Sequence, residues 1–362
     1  MNTEKQVDGR RSTVVGEKHT PSKYILSLPK AELHLHLEGS VDPPTLSELS
    51  RHHNTPIPPE NNNYGESPDS GRVLSEQDVH RLYQYRDFTG FMMAFKAVTE
   101  RLRTPEDYEL ITYRLMQRLA AENVLHAEVY VSVGVALWRG FDFDTLFEGL
   151  ECGRQRGERE FGTSLLWIFD AVRHFGAEAV ERVVDKAIQF RERNVVGIGI
   201  GGDERRGPAE WFRDSFARAK EHGLRLTAHA GETTGPESIM ASLDVLRAER
   251  IGHGLSAVQD PELMRRMAEQ EIPVEICLTS NVRTGCCASI EQHPVKSYVD
   301  AGMMVTLNTD DPAMFGTSLA REYQLAQDVF GFLDEQLRGF AKNSIHASFL
   351  TEKRKRDFLA NF

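Results

Sequence analysis

The chain has 362 residues, 40% of them hydrophobic. That can bury a large core, as two average domains or as one barrel of alternating strands and helices. A formal charge of −11 excludes the basic footprint required by a nucleic-acid polymer or an anionic membrane, leaving a small neutral or cationic ligand as the compatible partner. Four cysteines, two of them adjacent (Cys286, Cys287) and none in a CxxC pair, argue against a secreted disulfide framework and against a thiolate metal site. With no signal peptide and no apolar run of spanning length, the expected location is cytoplasmic.

Residues 1–22 are polar and without periodicity, so a disordered arm is expected there, with the folded unit running over 23–362. Tyr24–Pro29 leads into Ala31–Ser40, AELHLHLEGS, where Leu33, Leu35 and Leu37 alternate with His34, His36 and Glu38. A period of two predicts a strand with one leucine face for a helix layer. The other face carries two imidazoles and a carboxylate toward an enclosed site, and Gly39–Ser40 ends the strand in a turn. Two imidazoles at i and i+2 can converge on one metal, although 13 histidines in this chain also produce His-x-His by chance. A helix is expected from Pro43 or Pro44, and Thr55–Arg72, rich in Pro, Asn, Gly and Ser, reads as a surface loop or insertion. Across Asp87–Arg101, Phe88, Phe91, Met92, Phe95 and Val98 fall at helical spacing. Such a stripe is ordinarily core, or beside a site a hydrophobic lid.

From Asp107 the pattern is regular. Helices over Asp107–Ala121, Asp144–Phe161, Ala177–Asn194, Ala209–His222, Pro236–Ala248, Pro261–Gln270 and His293–Ala301 precede strands over Val124–Ser132, Leu165–Val172, Val195–Gly202, Leu224–His229, Arg250–His253, Pro273–Leu278 and Met303–Asp310. With the first strand there are eight units, which predicts a (β/α)8 TIM barrel with extra helices in a single domain. In such barrels the active site lies at the C-terminal strand ends. His34 and His36 lie on the first strand, His229 ends the fifth, His253 the sixth, and Asp310 and Asp311 the eighth. The other histidines fit solvated or hydrogen-bonded structural roles.

Three imidazoles and a carboxylate from different strands can share one divalent ion with a position left for water. Nitrogen-plus-oxygen ligation suits zinc, with iron, nickel, cobalt or manganese as alternatives. Such an ion makes water a nucleophile near neutral pH. Glu232, three residues after His229, is placed to serve as an enclosed general acid, or else as a helix N-terminal acid stabilised by the dipole. His253 can be a ligand, a proton shuttle or an electrostatic stabiliser. The glycine-rich VGIGIGGDE (Val196–Glu204) lacks a helix-opening phosphate pattern, and its expected use is close backbone approach to a flat ligand.

Taken as an ordered set, HLHLEGS, GGDE, HAGE, GHG, TSN and NTDDP resemble the adenosine deaminase family over most of the chain after Leu28. The resemblance implies a zinc ion held by His34, His36, His229 and Asp310. It also implies Glu232 as proton donor to purine N1, His253 assisting the attacking water, Asp311 bonding N7, the Gly202 backbone meeting N3, and Phe91, Met92 and Phe95 as a hydrophobic gate. The implied substrates are water and a purine nucleoside, the product is a 6-oxo purine plus ammonia, and no organic cofactor is needed. Three positions depart from the family pattern: Glu38 where Asp is usual, Gly199 where Asp is common, and Leu278 where Pro is common. None belongs to the implied metal set. Glu38 touches the sugar side, since enzymes acting on free adenine also tend to carry Glu there, although they usually show a serine-rich segment in place of GGDE. One group in the family acts on 6-amino-6-deoxyfutalosine, an adenosine with a bulky 5′ aryl arm, in a menaquinone route. The competing readings are an adenine deaminase, a hydrolase cleaving a cyclic amide or ester on the same barrel, and a binding protein braced by a metal.

Overall fold

A computed structural model of the chain describes residues 19–55, 73–85 and 88–362. The expected arm up to residue 18 and the expected loop from 56 to 72 lie outside these residues. His19 and Ser22, assigned to the arm, instead bond helix Leu319–Phe330: His19 Nδ1 meets Asp328 at 2.7 Å, and Ser22 N–H donates to Gln324 at 2.9 Å.

Eight strands form one parallel sheet in sequential order: β1 Lys30–His36, β2 Val124–Val131, β3 Ser164–Val172, β4 Val195–Gly201, β5 Arg225–Ala230, β6 Arg250–His253, β7 Val274–Ile276 and β8 Val305–Leu307. This is the (β/α)8 barrel. The sheet closes on itself beyond β8. There Asp310 N–H donates to the His34 carbonyl at 3.0 Å and His36 N–H to the Asp310 carbonyl at 2.8 Å. Just below, the Asn308 side chain takes the place of a backbone ladder, accepting from the N–H groups of Leu33 (2.9 Å) and His34 (3.1 Å). Three expected metal ligands are therefore also the closing seam.

Local sequence explains the elements that carry the strands. Asp42 caps helix Pro43–His52 by accepting from Thr45 N–H at 3.0 Å, and Thr104 with Asp107 forms a capping box on Pro105–Ala121. Leu33, Leu35 and Leu37 are fully buried, Leu33 against Ile345 and Ala347 of helix Asp334–Ala347. At about 1.5–3 kcal/mol each they hold β1 in register, because a one-residue slip would drive its histidines into that apolar layer.

Some boundaries differ from expectation. β7 stops at Ile276, and Leu278 opens helix Leu278–Arg283 instead of ending a strand. β8 stops at Leu307, since Asn308 pairs through its side chain and Asp310 turns with φ +64°. The helix expected over Ala209–His222 is a 3-10 turn (Ala209–Phe212) followed by a helix (Arg213–Glu221). No helix among the described residues is long and apolar enough to cross a membrane.

Candidate active site

Four buried groups meet at the C-terminal mouth: His34 and His36 from β1, His229 from β5, and Asp310 from the turn after β8. His36 Nε2 lies 3.2 Å from His229 Nε2 and 3.2 Å from Asp310 Oδ1, and His34 Nε2 lies 3.5 Å from that oxygen. Bonds at the far end of three of these side chains aim them inward. His34 Nδ1–H donates to Glu275 (2.9 Å), His229 Nδ1–H to the Ile200 carbonyl (3.2 Å), and Ser280 Oγ–H to Asp310 Oδ2 (2.7 Å). With the proton on Nδ1 of His34 and His229, their Nε2 lone pairs point to the centre, and His34 Nε2 is buried without a hydrogen-bond partner. Three imidazole nitrogens and a carboxylate oxygen within 4.8 Å of one another fit a divalent transition ion. Burial and the neighbouring His34 and His36 hold His229 well below the usual imidazole range, in the neutral form a ligand needs. Burial alone would push Asp310 up, but the neighbouring His34 and His36 imidazoles hold its carboxyl well below the usual range.

Beside this cluster His253 Nε2 and Glu232 Oε2 stand 3.8 Å apart. Burial pushes the Glu232 carboxyl up, toward holding a proton. The loop carrying it is gripped by Glu204, the last residue of GGDE. That carboxylate accepts from the N–H groups of Gly231 (2.8 Å), Glu232 (3.0 Å) and Thr233 (2.8 Å), and from the hydroxyls of Thr234 (2.8 Å) and Ser238 (2.5 Å). His253 and Asp310 sit at φ +62° and +64°, in a left-handed region that strains non-glycine residues by about 1–3 kcal/mol.

The chain from residue 29 to 362 matches the family model described as adenosine deaminase. It belongs to the adenosine deaminase family. An aminodeoxyfutalosine deaminase of Streptomyces avermitilis is 41% identical over 329 residues, covering 90% of this chain and 88% of that one. Two solved members of this fold are similar. The crystal structure of an adenine deaminase from Arthrobacter aurescens has TM-score 0.83 and 30% identity, covering 92% of this chain and 97% of that one. An amidohydrolase from Burkholderia ambifaria with bound Zn has TM-score 0.82 and 25% identity, covering 97% and 93%.

The remaining positions implied by the adenosine deaminase resemblance fall as follows. Asp311 is buried, its Oδ1 without a partner, and a side chain at Gly39 would overlap its carboxylate, so the glycine of HLEGS makes room for it. Burial and the adjacent Asp310 push Asp311 well above the usual carboxyl range. Glu38 does not continue the β1 face. It lies in a 3-10 turn (Glu38–Ser40), where Oε1 accepts from Ser132 N–H at 3.0 Å and Oε2 is buried unpartnered. Phe91 and Phe95 belong to helix Phe88–Thr99. The Phe91 ring stacks 5.2 Å from Phe315 of the short helix directly after Asp311, beside the mouth, while Met92 is exposed.

The glycines of β4, and Gly202 just after it, pack closely against rings. A Cβ at Gly199 would lie 2.5 Å from the Tyr130 ring, and one at Gly202 (φ +91°) 2.9 Å from His174 Nδ1. These glycines make room for protein rings on the side where a Cβ would stand. Sequence reasoning gave no role to Glu275 or Asp170, and named Glu204 only as part of GGDE. Asp170, buried at the end of β3 with Oδ1 unpartnered, is pushed by burial up to about 6. Only its strand-end position marked it in advance.

Proposed function

We propose that the chain removes the 6-amino group of an adenine nucleoside hydrolytically, giving the 6-oxo purine and ammonia, with the nucleoside carrying a modified 5′ position. The convergence of His34, His36, His229 and Asp310 beside Glu232 and His253 carries this reading. Those four residues would hold one zinc ion per chain, whose Lewis acidity makes water a nucleophile near neutral pH.

The chain's own groups perform the rest. Glu232, held protonated by burial, passes its proton to N1, which renders C6 electrophilic. His253 Nε2 faces the same space and orients the attacking water. Purine N7 only accepts hydrogen bonds, so its partner must be a donor. Asp311, raised by burial and by Asp310, holds the proton that such a donor requires. The Gly202 backbone would meet N3. The amino group leaves C6 as ammonia, and oxygen from water takes its place.

The substrate class rests on Glu38 and on the Streptomyces avermitilis relative, which is named for aminodeoxyfutalosine. The longer carboxylate is tied at Oε1 to Ser132 and has Oε2 buried without a partner, available to a group at the 5′ position. The second reading, adenine as substrate, is supported by the similarity to the Arthrobacter enzyme. Ultraviolet assays on adenine, adenosine, 5′-deoxyadenosine and a 5′-aryl adenosine separate them. The expected order of kcat/KM places the 5′-aryl compound first. A preference for adenine selects the second reading, and no turnover of any 6-aminopurine by the zinc-loaded chain overturns both.

A further inference from the structure

His253 is built unlike the other site histidines. Gly254 N–H donates to the Gly252 carbonyl at 2.8 Å, closing a three-residue turn with His253 at its apex and φ at +62°. The imidazole is almost wholly buried, and Nε2 faces Glu232. Its other nitrogen meets a chain of groups that the proposed reaction does not use. Asn281 Nδ2 lies 3.1 Å from His253 Nδ1, Asn281 Oδ1 lies 3.1 Å from His293 Nε2, and His293 Nδ1 takes the backbone N–H of Val295 at 3.1 Å.

The direction of this chain is forced from its outer end. A backbone N–H only donates, so His293 Nδ1 is an acceptor. Burial pushes the His293 imidazole down to about 3, so the ring is neutral and its one proton sits on Nε2. That proton is donated to Asn281 Oδ1, which turns the amide so that Nδ2–H points at His253. His253 Nδ1 must then accept, and the proton of the neutral ring is on Nε2.

We infer that Asn281 and His293 are positioning residues that lock His253 in the Nε2–H tautomer, so that it offers the reaction a hydrogen-bond donor and not a base. The inference rests on the proposed deaminase reading for its catalytic meaning, but not for its geometry. An amide at position 281 has two distinct ends, and the relay needs both of them. Aspartate there has nearly the same shape and only accepts when ionised. It would draw the His253 proton onto Nδ1 and leave Nε2 bare.

The test uses the zinc-loaded full chain labelled with 15N-histidine, with His253 identified by the resonances lost in His253→Asn. The parent should show a bare Nδ1 and a protonated Nε2. Asn281→Asp should reverse that assignment and lower kcat at least tenfold, with zinc content, thermal midpoint and KM within about twofold of the parent. His293→Leu removes the donor to Asn281 and should lower kcat. His293→Gln, whose amide restores an N–H at that place, should recover most of that loss. A parent ring protonated on Nδ1 overturns the inference, as does a reversed tautomer with unchanged kcat. The spectrum is read without substrate. A chain that turned over no 6-aminopurine would therefore fail the proposed function while the lock was still decided.

Discussion

Two layers inside this barrel hold buried charge in opposite ways. In the lower layer Arg250 pairs with Glu128 and with Glu275 (2.6 Å), donates to the Ala347 carbonyl at 3.2 Å, and stacks 3.8 Å above the Phe349 ring. Glu128 also takes the Phe349 N–H. In the upper layer His34 Nε2, Glu38 Oε2, Asp170 Oδ1 and Asp311 Oδ1 are buried with no hydrogen-bond partner. An unmet buried polar group destabilises a fold by about 1–3 kcal/mol. In the lower layer Arg250 Nε and Glu275 Oε1 also lack a well-aligned hydrogen bond, but opposite charges 2.6 Å apart offset the cost, whereas the upper layer gathers four such atoms in one place. Burial alone is thus no sign of function. Burial without partners, concentrated at one end of a barrel, is. Glu275 joins the layers, with one oxygen on Arg250 and the other on His34.

The comparison can be broken first at the upper layer. His229→Ala should strip the chain of its ion and bring turnover to the detection limit, as metal analysis beside an ultraviolet assay would show. A variant with full metal and full activity would refute the ligand set. Glu232→Gln should keep the ion and lose roughly 10²–10⁴-fold in kcat. Because burial raises this carboxyl, its acid form persists to higher pH than usual, and kcat/KM of the parent should fall as pH rises through that raised value. In the Gln variant this descending limb should vanish from the pH profile.

In the lower layer the expected damage is to stability. Arg250→Met removes the buried cation that Glu128 and Glu275 share, which should destabilise the chain by about 3–5 kcal/mol, read as a drop in the thermal midpoint. Glu275→Gln should instead weaken metal affinity by roughly 10–100-fold through the lost support of His34, measured by competition with a chelator. Equal loss of stability and affinity in both variants would erase the distinction between the layers. The smallest effect belongs to Glu38→Asp. One hydrogen bond is worth about 0.5–1.5 kcal/mol, so the preference for a 5′-substituted adenosine over adenosine should shift by roughly 2- to 10-fold in kcat/KM. An unaltered ratio would remove Glu38 from specificity.

Much of the fold was legible because each strand is a short buried run between turn signals, and each layer helix begins at a recognisable cap such as Thr104–Asp107 or Asp42. Strand ends were less legible where tertiary partners replaced the ladder. Asn308 pairs through its side chain and Asp310 sits at positive φ, and neither leaves a periodic trace in the sequence. The ring packing around Gly199 and Gly202 was hidden for a related reason. The rings they accommodate, Tyr130 and His174, come from other strand units.

What the sequence determined by itself is order and convergence. Eight strand–helix units in series point to a barrel, and a barrel gathers its strand ends on one face, where His34, His36, His229 and Asp310 were expected to approach one another. What the tertiary structure alone decided is the state of each group once there. Which nitrogen of His34 faces the centre depends on Glu275, 241 positions away, and which nitrogen of His253 carries the proton depends on Asn281 and His293. Protonation and tautomer are set by partners within about 3 Å, and no local pattern along the chain says which residues those will be.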